Sequence, residues 1–286
     1  MTFVDGGTYV QLLELVQNSI IAAGVLGIVG GLIGVFVMQR DMAFAVHGIS
    51  ELSFAGAAAA LLLGLNIVAG SIVGSLIAAG IIGVLGARAR DRNSIIGVLM
   101  PFGLGLGILF LALYPGRSGN KFGLLTGQII SVDLPQLGLL MGISALVLIA
   151  LLVIWRPLTF DSLDPEVASA RGVPGRALSI VFMILLGLAV AVSIQVIGAL
   201  LVLALLVTPA AAALRVSASP VLVPVLSMVF GLVSAVGGIL LALGGSLPIS
   251  PYITTISFAI YLVCRIIEWR RSAGAPRRVG SARLSA

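Results

Sequence analysis

Nine apolar stretches follow one another along this chain, at 12–38, 42–64, 67–87, 95–114, 137–155, 177–193, 196–214, 220–243 and 252–268. Each is about the 20 residues that a helix needs to cross a bilayer. With 60% of its 286 residues hydrophobic and only 9% charged, the chain cannot present a water-soluble surface. The expected fold is all-α: a polytopic transmembrane helical bundle of about nine spans, filling residues 1–269. Eight is the alternative count, because the turn at Leu65-Asn66 is weak and no strong turn signal near Ser193-Ile194-Gln195 separates two helices. Glycines support close helix packing, with Gly27/Gly31 and Gly30/Gly34 forming two small-xxx-small pairs in the first span. The segment 270–286, RRSAGAPRRVGSARLSA, reads as a basic cytoplasmic tail without structure of its own.

The charges left over carry topology. Short loops rich in Lys and Arg stay in the cytoplasm. With Arg40 inside, nine crossings place 14 of the 16 basic residues on that side, and only Arg117 and Lys121 outside. The expectation is an N-terminus outside and a C-terminus in the cytoplasm. Because the net charge of +6 sits in loops and tail, it is a topology signal and no nucleic-acid role is expected. The single cysteine, Cys264, excludes disulfides within the chain, thiolate metal clusters and CxxC redox chemistry. The segment MTFVDGGTYVQLLE has no basic n-region and does not read as a cleaved signal peptide.

Within the second span, His47, the only histidine, stands four residues before Glu51. That spacing stacks both side chains on one helical face, where an imidazole nitrogen and a carboxylate can meet one ligand. At 1.5 Å per residue they lie about 10 and 16 Å beyond Arg40, too deep to reach water by snorkelling. A charged side chain there costs about 3 kcal/mol even on lenient insertion scales, so it normally serves a polar path or a partner. The plainer alternative is a self-satisfied contact between the two. Histidine without a usable thiolate leans the pair towards Zn2+ without excluding Mn2+.

Other chemistries find no support. The only lysine, Lys121, lies between Asn120 and Phe122, so there is no phosphate-binding loop and any ATP hydrolysis belongs to another chain. One histidine rules out HExxH. The run Gly103, Gly105, Gly107 imitates a dinucleotide fingerprint but lies inside a span with no strand before it. Gly116-Arg117-Ser118-Gly119 matches the GxSG of intramembrane proteases, but it falls in a polar external loop, towards the side opposite His47. In the long connection RPLTFDSLDPEVASARGVPGR, Asp164 suits an N-cap, Pro165 the first helical position, Glu166 the positive end of the helix dipole and Gly172 the stop. This predicts a short helix outside the membrane, either a simple connector or a docking surface.

At Arg40–Gly56 the chain resembles the membrane permeases of zinc- and manganese-importing ABC transporters, whose second helix reads R-x-M-S-x-x-x-D-A-L-S-H-A-x-x-x-G. Arg40, Met42, Ser50 and Gly56 match, while His47 stands where that family usually has Asp and Glu51 where it usually has His. The exchange keeps both ligand types and their spacing. Asn18–Arg40 is similar to the family's first span ending in G-V-F-V-x-x-R, and Asp164–Val173 to its D-E-E-x-A-x-x-x-G-V segment. The most specific match is Gly198–Ala213, close to G-x-L-L-V-x-A-L-L-x-x-P-A-A-x-A, while Ser246-Leu247-Pro248 departs from the family's D-x-P. The resemblance implies a homodimeric permease in a bacterial plasma membrane, with separate ATP-binding-cassette ATPase subunits, an extracytoplasmic metal-binding protein, and Zn2+ or Mn2+ as transported substrate rather than as a resident cofactor. His47 and Glu51 then become the metal ligands, and Asp164, Glu166, Ala168 and Gly172 the ATPase-coupling segment. Gln195, Thr208 and Pro209 become positions where a span bends or a gate moves. A secondary metal transporter or channel working without ATP is the alternative, and an intramembrane protease the most distant one.

The charge asymmetry yields a direct test. A reporter active only in the cytoplasm should work when fused after Ala286, and one active only outside should work at the N-terminus; both ends on one side would dissolve the nine-span topology.

Overall fold

The computed structural model describes residues 6–86, 89–116, 132–243 and 249–274. Arg117-Ser118-Gly119, Lys121, Ser246-Leu247-Pro248 and the tail beyond Gly274 lie outside the described residues. The helices are α1 (Gly6–Leu15), α2 (Gln17–Gln39), α3 (Ala43–Leu62), α4 (Ile67–Leu85), α5 (Ala89–Leu113), α6 (Leu134–Val153), α7 (Trp155–Leu163), α8 (Pro165–Ala170) and α9 (Gly175–Ile197). A 3-10 turn at Ala199–Leu201 follows, then α10 (Val202–Leu206), α11 (Thr208–Val216), α12 (Leu222–Leu243) and α13 (Ile249–Gly274). Among the described residues, 8 helices are long and apolar enough to cross a membrane: α2 to α6, α9, α12 and α13.

The expected span 196–214 is not one helix. Gly198 adopts φ 88° and ψ 156°, a conformation open to glycine, and ends α9. Pro209 lacks the N–H that would bond the carbonyl four residues back, so the backbone is reset at Val207 and a new helix begins with the proline in its first turn. The pieces nevertheless run together alongside α13. Ser250 Oγ donates to Ile197 O at 3.2 Å, Ser257 Oγ donates to Ala204 O at 2.9 Å, and Arg215 pairs with Glu268 at 3.5 Å. From Ser250 to Glu268 the helix rises about 27 Å, nearly the thickness of the hydrocarbon layer. The broken segment therefore covers the distance of a ninth crossing. The boundary near Ser193-Ile194-Gln195 moves too, because α9 continues to Ile197.

The other weak boundary has a plain structural cause. Gly64 at φ 69° closes α3, with Leu65 N donating to Ala60 O at 2.8 Å. Two residues on, the Asn66 side chain caps α4 by accepting from Ala69 N at 3.0 Å. These are a Schellman stop followed at once by an N-cap. At the far end α13 does not stop at 268: Glu268 accepts from Arg265 at 2.7 Å, Arg271 donates to Val216 O at 2.9 Å, and the helix runs on through Gly274, into the expected tail.

Small residues set the packing. Gly27 and Gly31 meet α12, where a Cβ on Gly27 would lie 2.7 Å from Gly231 O, and Ser227 Oγ donates to Gly31 O at 2.6 Å. One residue round the helix, Gly30 and Gly34 meet the carbonyls of Leu205 and Leu206 in α10. The α3–α4 contact is of the same kind, with Gly56 against Gly70 and Gly74. Backbones brought this near leave no room for a side chain, which is how helices associate in a medium that gives no hydrophobic drive. We expect Gly56→Leu to lower the thermal midpoint of the detergent-solubilised protein by about 5 °C. Gly105→Leu, with nothing within 4 Å of its Cβ position, should leave it unchanged; equal behaviour of the two variants would refute the packing account.

Candidate functional site

The site grows from the corner between α2 and α3. Asp41 stands at φ 53°, Asp41 N donates to Met38 O at 3.3 Å and Met42 N donates to Val37 O at 2.8 Å. This is a Schellman turn made with aspartate, one of the few residues besides glycine that tolerates a left-handed backbone. Buried Met42 then leads directly into α3.

Two turns on, His47 Nε2 and Glu51 Oε1 face each other at 3.6 Å, with side chains 27% and 3% exposed. That separation exceeds a hydrogen bond. His47 Nδ1 and Glu51 Oε2 are buried and have no hydrogen-bond partner among the described residues. A bonded pair would still leave one atom of each residue over, but here the two facing atoms are not bonded either, so the polar groups of both residues are open to a further partner. Neighbouring hydroxyls do not supply the missing bonds: Ser50 Oγ donates to Ala199 O at 2.7 Å, and Ser53 is engaged with Ser71. The Ser50 bond also brings the break after α9 to the residue adjoining Glu51.

The helix carrying the pair is hemmed in by backbone. A Cβ on Gly103 of α5 would lie 2.9 Å from the Glu51 carbonyl carbon, and Gly107 fits against the ring of fully buried Phe54. The glycine run that imitated a nucleotide motif is thus a packing stripe, its two outer members one turn apart facing α3 and Gly105 facing open space. No cluster of three or more His, Cys, Asp or Glu side chains able to hold a metal occurs among the described residues. Two donors from one chain leave even a four-coordinate ion short of ligands.

The expected short helix between Asp164 and Gly172 forms as α8, and a further helix, α7, precedes it in the connection. Asp164 Oδ1 accepts from Val167 N at 3.0 Å with Pro165 behind it, and Gly172 at φ 82° ends the segment, with Val173 N donating to Ala168 O at 3.0 Å. Asp164, Glu166 and Gly172 are exposed. Ala168 is fully buried, so it holds α8 in place and presents no surface. Sequence reasoning missed Phe160, Leu163 and Val167, which are 37%, 68% and 43% exposed on this polar connection. Their apolar character between charged residues was the available signal. Arg40 Nη1 donates to Asp161 Oδ2 at 2.9 Å, a partnership the sequence reading did not anticipate.

The three expected bending positions do not form one site. Gln195 lies in the last turn of α9 with Nε2 buried and unpartnered, whereas Thr208 and buried Pro209 open α11. Pro209 marks a real break; the larger one, Gly198, was not singled out.

A family profile described as the ABC 3 transport family matches residues 12–268, nearly the whole helical part. The chain belongs to the ABC 3 transport family. Among similar family members, the manganese transport system membrane protein MntC of Halalkalibacterium halodurans is 32% identical over 225 residues, 78% of this chain and 77% of that protein. The manganese import system permease protein ScaB of Streptococcus parasanguinis is 28% identical over 262 residues, 91% of this chain and 92% of that protein. In three dimensions, PsaBC from Streptococcus pneumoniae, solved in complex with a Fab, matches with a TM-score of 0.80 at 29% identity, covering 90% of this chain and 94% of that one.

Proposed function

We propose that this protein is the membrane permease of an ATP-driven importer of divalent metal ions, with Mn2+ its favoured substrate. The observation that carries the reading is the buried His47–Glu51 pair with one idle ligand atom on each residue. Two copies of the chain across a dimer axis supply two imidazole nitrogens and two carboxylates. That set suits four-coordinate Zn2+, and with water added it suits the six-coordinate preference of Mn2+. Relatives named for manganese move the balance from the zinc lean of the lone histidine to manganese.

The permease works with separate ATPase subunits and an extracytoplasmic metal-binding protein, in a bacterial plasma membrane with its N-terminus outside and C-terminus in the cytoplasm. Support for the orientation comes from the basic residues of the described chain. Arg40 and Arg92 meet at the α2–α3 corner, and Gln39, Thr159, Leu214 and Pro220 line one cleft, which gathers the ends of α2, α7 and α11 with Arg215 at the same face. The α7–α8 connection leaves that face carrying exposed Leu163, Glu166 and Val167, the mixture of apolar and charged groups that a docking surface needs. Gln195, Pro209 and the Gly198 break give the path a place to bend.

Two measurements decide these roles. In vesicles holding the assembled importer, His47→Ala and Glu51→Gln should each lower Mn2+ uptake at least about tenfold while the dimer and its ATPase subunits remain associated; near-parental uptake by both would return the pair to a packing role. Reversing charge at the docking surface with Glu166→Lys and Val167→Asp should release the ATPase subunits or uncouple hydrolysis from uptake. Since both side chains are exposed, the permease itself should still fold and insert, and intact coupling would reduce α7–α8 to a connector.

A further inference from the structure

Arg40 ends α2, and its guanidinium leaves the membrane helices to reach α7. Nη1 donates to Asp161 Oδ2 at 2.9 Å and to Ser162 Oγ at 3.2 Å, with side-chain exposures of 11% and 9% for the ion pair. The Ser162 hydroxyl spends its own proton on Leu158 O at 2.6 Å, so its lone pairs are left for Arg40. Arg40 also stands 5.9 Å over the Phe182 ring of α9. Phe36 wedges edge-on against both Phe182 and Trp155, with ring centroids 6.1 and 4.8 Å away. The first residue of α9 completes the enclosure: a Cβ on Gly175 would lie 2.5 Å from Asp161 Oδ1, so a glycine there lets the helix start against the carboxylate.

The same residue is tied to the α3 side through its backbone. Arg92 Nη2 of α5 donates to Arg40 O at 3.2 Å, and the next residue, Asp41, sits at φ 53° in the turn that launches α3. His47 follows Arg40 by seven residues and Glu51 by eleven, with no loop between. Two hydrogen bonds thus join α7 to Arg40, and one Schellman turn joins Arg40 to the helix that bears His47 and Glu51.

Stability alone is a poor reason for this arrangement. Removing two charges from water costs about as much as their attraction returns, and well-packed apolar residues of similar volume usually do as well. We propose that the Arg40–Asp161 pair is a positioning element that makes the His47–Glu51 turn of α3 follow the α7–α8 connection, so that ATP-driven movement opens or closes the metal path. The inference rests on the reading of α7–α8 as the ATPase docking segment.

The test uses the complete importer in vesicles, reading Mn2+ taken up per ATP hydrolysed. Arg40→Met combined with Asp161→Leu removes the link without stranding a buried charge. The expected result is about a tenfold fall in that ratio, with ATPase subunits still copurifying and ATP hydrolysis continuing. A ratio within about twofold of the parent overturns the proposal, because a purely structural pair lowers the yield of complex and not the ratio. Should the double variant not assemble, Arg40→Lys decides: it keeps the charge but loses the guanidinium whose Nη1 reaches both Asp161 and Ser162 while its carbon stands over Phe182, and the ratio should fall about threefold, whereas a parental ratio again overturns the proposal. Failure of the underlying docking reading shows elsewhere, as parental coupling in the Glu166→Lys, Val167→Asp variant.

Discussion

Inside hydrocarbon a carbonyl without a donor costs several kcal/mol, about as much as a good fraction of a small domain's net stability, so irregular backbone survives there only where side chains complete its bonds. The segment after α9 is broken at Gly198 and again at Val207, and serine hydroxyls bond its carbonyls from outside. Ser250 donates to Ile197 O, Ser50 to Ala199 O and Ser257 to Ala204 O. A hydroxyl suits the task because it brings a donor without a charge and fits between closely packed helices. These bonds permit a broken crossing, and the broken crossing in turn lies beside the residue adjoining Glu51.

The His47–Glu51 pair depends on the same economy of small residues. α3 touches α4 through Gly56, Gly70 and Gly74, and α5 through Gly103 and Gly107, which fixes its backbone on two sides without adding polar groups. Glu51 is held at 3% exposure by a wall that offers its Oε2 atom nothing, and His47 Nδ1 is treated in the same way. An imidazole and a carboxylate on one helix face, spaced beyond hydrogen-bond length, fit an ion received between them better than a bond already made.

Much of this was legible in the chain because it obeys local rules. Eight spans follow from length and apolarity, the α8 caps from Asp164, Pro165 and Gly172, and the spacing of the His47–Glu51 pair from helical geometry. What stayed hidden depends on partners remote in sequence. Gly198 is one glycine among 36, and only the fold reveals which of them takes a conformation other residues avoid. Gly103 and Gly107 looked like a motif because their real neighbour, α3, is half a hundred residues upstream. Ala168 passed for surface because a six-residue helix is too short to display which face it buries. Asp161 lies 121 residues from Arg40, a distance across which no periodicity speaks.

Three rungs between the broken crossing and α13 join residues 197 and 250, 204 and 257, and 215 and 268, each 53 positions apart, and a fourth, from 216 to 271, spans 55. Equal offsets mean that the two strands of chain climb in step, like paired rails. Sliding one past the other by a single residue would open these rungs together. Through Ser50 and Ala199, α3 is therefore tied to a segment that α13 holds along its whole length.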